Sequence, residues 1–191
     1  MKHPLKVIQL YKNDSQLIKK ATKNHRESQR ILYDLYAPKM LSVCRYYISD
    51  VQKAEEAMLN GFFKVFTKLK YFKNEGSFEG WVRKIMVREC ISFLRQQKKI
   101  EFLTDEVERY DKSINNAELQ IDIAEIEQLI DNLPEGYRMV FVMYAIEGYK
   151  HNEIAELLNI TEGTSKSQLF KARKLLQQQL NRLNKARNGT N

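Results

Sequence analysis

Hydrophobic residues recur every three or four positions along most of this chain, which is the spacing of one face of an α-helix. Three such runs occupy the first half, over residues 31–48, 54–69 and 81–94. Pro38 lies inside the first run. Because proline removes a backbone donor and clashes with the preceding turn, we predict a kink or a break there. The first half is therefore predicted to be a bundle of amphipathic helices.

The apolar pattern lapses from residue 100 to about 116 and then returns. From Leu119 to Leu133 the apolar positions are spaced alternately by four and three residues, and Pro134 ends that helix. A further apolar run begins at Tyr137 and is closed by Gly148. The second half is thus predicted to be helical as well.

Composition supports this interpretation, because 7 Gly and 3 Pro in 191 residues are too few turn residues for an all-β protein. A chain of this length holds one domain or two small ones. We predict an all-α fold of two small helical domains joined by an acidic linker. The predicted limits are residues 1–99, 100–117 and 118–191.

Charge is divided along the chain in the same three parts. Residues 1–100 carry 21 Lys and Arg against 9 Asp and Glu, residues 101–135 carry 2 against 11, and residues 136–191 carry 9 against 4. The net charge is +8 and the sequence pI is about 9.3. Two basic segments flanking an acidic one indicate two modules that face a polyanion, and nucleic acid is the first candidate.

Several function classes are excluded by what the sequence lacks. The longest apolar run, Met139–Ile146, is far short of the roughly 18 residues that a membrane span needs. Pro4 and its polar neighbours do not form a signal peptide, so we expect a cytoplasmic protein without a membrane span. Cys44 and Cys90 have no CxxC spacing, so we expect two small buried apolar residues, no metal and no cofactor.

An enzyme is not indicated either. The three histidines, His3, His25 and His151, are scattered, and no Ser/His/Asp arrangement can be proposed. Gly76 and Gly80 lack the Gly-Lys-Ser/Thr ending of a phosphate-binding loop. We therefore predict a binding protein rather than a catalyst.

The C-terminal segment has the spacing of a helix-turn-helix. A helix over 152–158, a turn over 159–161 and a longer basic helix over 162–183 would let the second helix enter a major groove. Thr161 is placed to cap the second helix. At about 100° per residue, Leu169, Ala172, Leu176 and Leu180 share one face of that helix. The opposite face carries Thr164, Ser167, Lys171 and Lys174, flanked by Lys166, Phe170 and Arg173.

The order of residues resembles a known family. Leu-Pro-Glu-Gly-Tyr-Arg at 133–138, Glu-Gly-Tyr at 147–149, Glu-Ile-Ala at 153–155 and Gly-Thr-Ser-Lys-Ser-Gln-Leu-Phe-Lys-Ala-Arg at 163–173 are similar to the C-terminal domain of bacterial RNA polymerase sigma factors of the extracytoplasmic-function (ECF) class. Ala-Glu-Glu at 54–56, Glu-Gly-Ser-Phe-Glu-Gly-Trp at 75–81 and Phe-Leu-Arg at 93–95 resemble the N-terminal domain of the same class.

This resemblance implies a transcription initiation factor that binds core RNA polymerase and promoter DNA, with an anti-sigma factor as a further candidate partner. Its implied polymerase contacts are Glu55, Glu56, Leu59, Asn60 and Phe63, where Leu59 and Asn60 replace the family's usual Gln-Glu pair. Its implied contacts to the opened minus-ten element are Tyr71, Phe72, Asn74, Ser77 and Arg88. Trp81 and Phe78 are expected to seal the core instead.

The same resemblance assigns reading of the minus-thirty-five element to Thr164, Lys166, Ser167, Gln168, Phe170, Lys171 and Lys174. The sequence departs from the family at Ser165, where Val is usual, and at Gln168, where Arg is usual. Departures also occur at Arg88, which replaces Asn, and at Ser92, which replaces Asp. Because Gln pairs with adenine and Arg with guanine, Gln168 is expected to move the base preference away from guanine.

Two other interpretations of the sequence remain open. A stand-alone helix-turn-helix regulator would use residues 1–100 as a sensor or dimerisation domain, and would bind operator DNA tightly without polymerase. A protein-interaction adaptor would keep its partner at high salt, because its basic surface would be incidental.

Overall fold

The computed structural model describes residues 15–97 and 123–188. All regular structure in these two stretches is helical, and the chain divides between Phe93 and Leu94 into two compact units. The prediction of an all-α, two-domain fold is confirmed. The predicted acidic linker over 100–117 lies outside the described residues, as does Leu119, so the exact domain limits stay predictions.

The first unit contains four helices within its described residues, α1 to α4. They span residues 15–22 (α1), Arg26–Tyr47 (α2), Val51–Lys68 (α3) and Phe78–Gln96 (α4), with a 3₁₀ turn at Leu69–Tyr71. Local capping explains two of the starts. The Asp50 carboxylate accepts the Lys53 amide at 3.2 Å before α3, and the His25 ring accepts the Ser28 amide at 3.2 Å before α2.

Pro38 does not break the helix that contains it. The structure shows α2 running through this position, contrary to the expected break. Pro38 is exposed, so water can satisfy the carbonyl group that loses its donor, and buried residues before and after it, Tyr36 and Met40, hold both halves of the helix in the same core.

The core of the first unit is closely packed where α3 meets α4. A Cβ atom built on Gly61 would collide with the sulfur of Met86, so this glycine is what lets the Met86 side chain fill the space beside α3. Cys44 and Cys90 are both fully buried free thiols, as predicted. The adjacent Cys44 thiol, followed by burial, raises the pKa of Cys90 well above its usual value, so this thiol stays protonated.

Within residues 123–188, the second unit contains four helices and a π turn. They are α5 (Ile123–Asp131), α6 (Glu135–Phe141), the π turn Val142–Ile146, α7 (His151–Leu158) and α8 (Glu162–Asn188). Its core contains Leu133, Tyr137 and Ala172, against which Phe141, Leu175 and Leu176 pack. Arg138 is buried, and its guanidinium donates to the Asp131 carbonyl at 3.3 Å, which ties the end of α5 to α6.

None of the helices in the described ranges combines the length and apolar character of a membrane span. Across the same residues, His, Cys, Asp and Glu side chains form no cluster that could hold a metal ion.

Candidate functional site

One face of α3 carries all five predicted polymerase contacts, and we call it the α3 outer face. Its members are Glu55, Glu56, Leu59, Asn60 and Phe63, and each is exposed. The exposed fraction reaches 54% for Leu59 and 71% for Phe63. The opposite side of the same helix is buried through Ala54, Ala57, Met58, Phe62 and Val65. The helix thus fixes two large apolar side chains in solvent, one turn apart, beside two carboxylates.

Residues 71–77, from the last residue of the 3₁₀ turn to the residue before α4, form the aromatic loop. Tyr71 is 65% exposed, with the Lys70 ammonium 5.1 Å from its ring centroid. Phe72 is half-buried instead, because its ring lies 5.2 Å from Phe78 and 5.4 Å from Trp81. Phe78 is buried and Trp81 half-buried in this cluster, so the expected sealing role suits Phe78 better than Trp81.

The polar residues of the aromatic loop are exposed and shape its backbone. Asn74 has a positive φ of 59° and Gly76 one of 99°, so the loop turns sharply twice. The Ser77 hydroxyl accepts the Gly80 amide at 3.0 Å and thereby starts α4. Ser77 therefore has a structural partner in addition to its predicted contact with DNA.

Arg88 is exposed on α4, but it is separate from the aromatic loop. Ten residues of helix place it about 15 Å along the axis from Phe78. The next residue, Glu89, is largely buried and forms an ion pair with Lys64 of α3. This pair links α3 to α4 next to Arg88 in sequence.

The predicted helix-turn-helix is present in the second unit. It consists of α7, a turn over 159–161 and α8, and Asn159 adopts the left-handed conformation that ends α7. The Thr161 hydroxyl accepts the Thr164 amide at 3.0 Å, which confirms its predicted role as the cap of α8. Leu169 and Ala172 are buried and Leu176 is partly buried, so the predicted packing face is confirmed as well.

The other side of α8 presents most of the residues predicted to read the minus-thirty-five element. Lys166 and Lys174 are exposed, and Thr164, Ser167, Phe170 and Lys171 are half-buried. Lys166 lies 3.6 Å from Glu162 one turn earlier, and the Ser167 hydroxyl donates to the Thr164 carbonyl at 2.9 Å. These six side chains form one polar and basic surface, which we call the α8 basic face.

Gln168 does not belong to the α8 basic face. Its exposed fraction is 0%, and its helical neighbours Ser165 and Ala172 are equally buried. A side chain without exposed surface cannot pair with a base edge, so the prediction that Gln168 reads the promoter is wrong. The expectation that Gln168 sets the base preference is therefore wrong as well.

A cluster of side chains beside α8 was not predicted from the sequence, in which the three histidines are scattered. The His151 ring stacks on Tyr144 with centroids 4.6 Å apart, and its Nδ1 lies 2.9 Å from the Ser165 hydroxyl. Arg173 contacts the same tyrosine: its guanidinium carbon lies 5.7 Å from the Tyr144 ring centroid. Gly148, at a positive φ of 75°, makes the turn that returns the chain toward Tyr144. Apolar periodicity carries no signal for such a turn.

Burial of the ring lowers the pKa of His151, and the positive charges of Lys166 and Arg173 lower it further, against the opposing effect of Glu162. The imidazole is therefore held in its neutral form at neutral pH, although it lies among cationic side chains.

Two family models match this chain. The family model described as Sigma-70 region 2 matches residues 32–100, and the model described as Sigma-70, region 4 matches residues 123–176. The first range contains the α3 outer face, the aromatic loop and Arg88. The second contains α7 and the part of α8 that bears the α8 basic face. Both regions thus occur in one chain, on the elements described above.

Individual relatives extend the match over most of the chain. The chain is 30% identical to the RNA polymerase sigma factor SigV of Bacillus subtilis over 135 residues, which is 70% of this chain and 80% of that protein. It is 22% identical to the ECF RNA polymerase sigma-E factor of Haemophilus influenzae over 180 residues, covering 87% of this chain and 95% of that one.

A solved structure supports the fold. The sigma factor RpoE from Bartonella quintana, in a complex with the anti-sigma factor NepR, matches with a TM-score of 0.52 and 21% identity, over 80% of this chain and 96% of that one. Taken with the two regions and the relatives above, this chain belongs to the sigma-70 family of RNA polymerase sigma factors, in its ECF class.

Proposed function

We propose a division of labour between the two units of this sigma factor. The first unit binds core RNA polymerase through the α3 outer face, and holds the opened minus-ten strand at the aromatic loop and at Arg88. The second unit reads the minus-thirty-five element with the α8 basic face. The two contacts together select the promoter at which transcription starts.

The exposure of Leu59 and Phe63 carries the polymerase part of this proposal. Two large apolar side chains one helical turn apart cost solvation energy unless a partner covers them, and aromatic residues are enriched at the centres of interfaces. Glu55 and Glu56 add charge at the edge of the same face, where it can orient the partner. A stand-alone regulator that binds only duplex DNA has no use for this surface, and it is the less favoured interpretation.

The test replaces the apolar pair with serine. We expect Leu59→Ser with Phe63→Ser to reduce copurification with core polymerase at least about tenfold, since burial of two such side chains is worth about 1.5–3 kcal/mol each. Run-off transcription from a pool of genomic promoters should fall in parallel.

A matched control is available on the same unit. Ile31 and Leu35, also one turn apart, are 39% and 38% exposed on α2. Ile31→Ser with Leu35→Ser should leave copurification and transcription unchanged. Equal losses in both double variants would contradict the assignment of the α3 outer face.

Opening a promoter without nucleotide hydrolysis requires contacts that exist only with the unpaired strand. Unstacking a base costs a few kcal/mol, and base–aromatic stacking returns about 1–3 kcal/mol per base. Tyr71 is the aromatic side chain of the loop with the most accessible ring, and Phe72, Asn74 and Ser77 lie beside it in sequence. Arg88 then serves as a second anchor for a phosphate or a base further along the strand.

Reading of the minus-thirty-five element rests on the α8 basic face without Gln168. The lysines position the helix on phosphates, and the short hydroxyl side chains, with Phe170, meet base edges. The factor has no catalytic role in this proposal and acts in the cytoplasm, where polymerase and promoters meet. Membership of the ECF class also implies a dedicated anti-sigma factor as a partner.

A further inference from the structure

The cluster around His151 has no part in the contacts proposed so far. It consists of Tyr144 on the π turn, His151 at the start of α7, and Ser165 and Arg173 on α8. Its side chains connect the α8 helix to α7 and to the π turn at two places, two turns of α8 apart. His151 is half-buried, so its ring exchanges protons with solvent while it is held in position.

The charged groups that face His151 include two cations whose charge bound DNA would neutralise. From α8 they are Lys166 and Arg173, which oppose a proton on the imidazole, and Glu162, which favours one. Lys166 and Glu162 form an ion pair, with 3.6 Å between the Lys166 Nζ and the Glu162 Oε2. From the π turn the facing titratable group is Tyr144, stacked on the ring. His151 is thus close to Lys166, which belongs to the α8 basic face, and to Arg173, which lies beside that face on the same helix.

We propose that His151 takes up a proton when DNA binds the α8 basic face, and that promoter affinity is thereby coupled to pH. The inference rests on the proposed function, because it requires phosphates next to Lys166 and Arg173. Those phosphates compensate the two positive charges that disfavour the imidazolium, and they add an attraction of their own. Burial of the ring still lowers the pKa of His151, but the part of the lowering that comes from Lys166 and Arg173 is removed once phosphates pair with them.

The sign of the effect follows from linkage. If bound DNA increases the proton affinity of His151, a proton increases the affinity for DNA by the same factor. DNA binding should therefore strengthen as pH falls, between the pH at which the free ring titrates and the higher pH at which the bound ring titrates. A tenfold increase in proton affinity on binding appears as a tenfold increase in DNA affinity on acidification.

The experiment measures dissociation constants of the full chain for a fluorescent mixed-sequence duplex at low salt, from about pH 8 to about pH 6. We expect the wild-type chain to gain about three- to tenfold in affinity over this range. His151→Gln, which keeps a polar partner for Ser165 but cannot be protonated, should lose most of that gain. His25→Gln, in the first unit, is the matched control and should keep it.

A second measurement does not depend on a variant. The ring protons of His151, assigned by their absence in His151→Gln, are titrated by NMR with and without the duplex, and binding should move the midpoint to higher pH. An unchanged midpoint, or a pH dependence that persists in His151→Gln, would overturn the inference. These outcomes differ from failure of the proposed function, in which the chain binds no DNA and directs no transcription at any pH.

Discussion

At the scale of single residues, Thr161 controls the first turn of the helix that carries the α8 basic face. Its hydroxyl is the acceptor for the Thr164 amide and also lies 2.9 Å from the Thr164 hydroxyl. Thr161→Ala should destabilise the second unit by about 1 kcal/mol, because a helix amide loses its only side-chain acceptor. Thr161→Ser should retain nearly all of the stability. Hydrogen exchange of the Thr164 amide is the measurement, and equal protection in both variants would contradict the capping role.

Gln168 leads to a second prediction at this scale. Gln168→Arg should destabilise the second unit by more than about 2 kcal/mol, since it forces a guanidinium into a fully buried position. Thermal unfolding followed by circular dichroism checks this, with Lys166→Arg as an exposed control on the same helix. A folded Gln168→Arg protein with an altered promoter preference would restore the role that the structure removes.

The burial of Gln168 could have been predicted from the sequence. On a helix of 100° per residue, Gln168 lies about 40° from Ala172 and about 60° from Ser165. Ala172 belonged to the predicted packing face, so the position of Gln168 around the helix already indicated that its side chain is buried. The resemblance to the sigma family, in which Arg is usual at this position, suggested a base-reading residue instead. The six other predicted residues of α8 did fall on its accessible side.

At the scale of elements, the local signals determined what could be predicted. The turn at Asn159 to Thr161 and the limits of α7 agree with the prediction to within a residue, because capping and glycine or asparagine turns act within a few positions. The apolar run from Tyr137 to Gly148 was predicted to be helical, without a sign that α6 ends at Phe141 and a π turn follows it. Val142 and Met143 of the π turn are both fully buried, and a repeat of three and four residues carries no signal for the wider turn.

The contact between α3 and α4 gives a prediction of its own. Gly61→Ala should destabilise the first unit by about 1–3 kcal/mol, because the added methyl group meets the sulfur of Met86, itself fully buried with little room to move. Gly163→Ala on α8 is the control. Its nearest atom would be the Thr161 hydroxyl oxygen at an ordinary 3.6 Å, so helix propensity should make it neutral or slightly stabilising. Urea unfolding of both variants decides the matter, and equal effects would contradict the steric argument.

At the scale of the whole molecule, the two basic units should respond to salt through separate sets of phosphate contacts. Lys171→Gln should weaken binding to every duplex alike and reduce the slope of log K against log salt by about 1. Lys53→Gln, at the start of α3, should leave the slope unchanged for a duplex that contains only a minus-thirty-five element. Titrations at several salt concentrations on unrelated sequences provide the measurement. A loss confined to one sequence would make Lys171 a base reader instead.

The two buried thiols of the first unit have a practical consequence. Cys44 and Cys90 are the only cysteines in the chain, and with no surface exposed they should resist alkylating reagents for as long as the first unit stays closed. Mass spectrometry of iodoacetamide-treated protein should therefore count openings of that half alone, while the other half, which has no cysteine, goes unrecorded. The rate at which modified molecules accumulate then reports how often the first unit opens, and no probe has to be introduced.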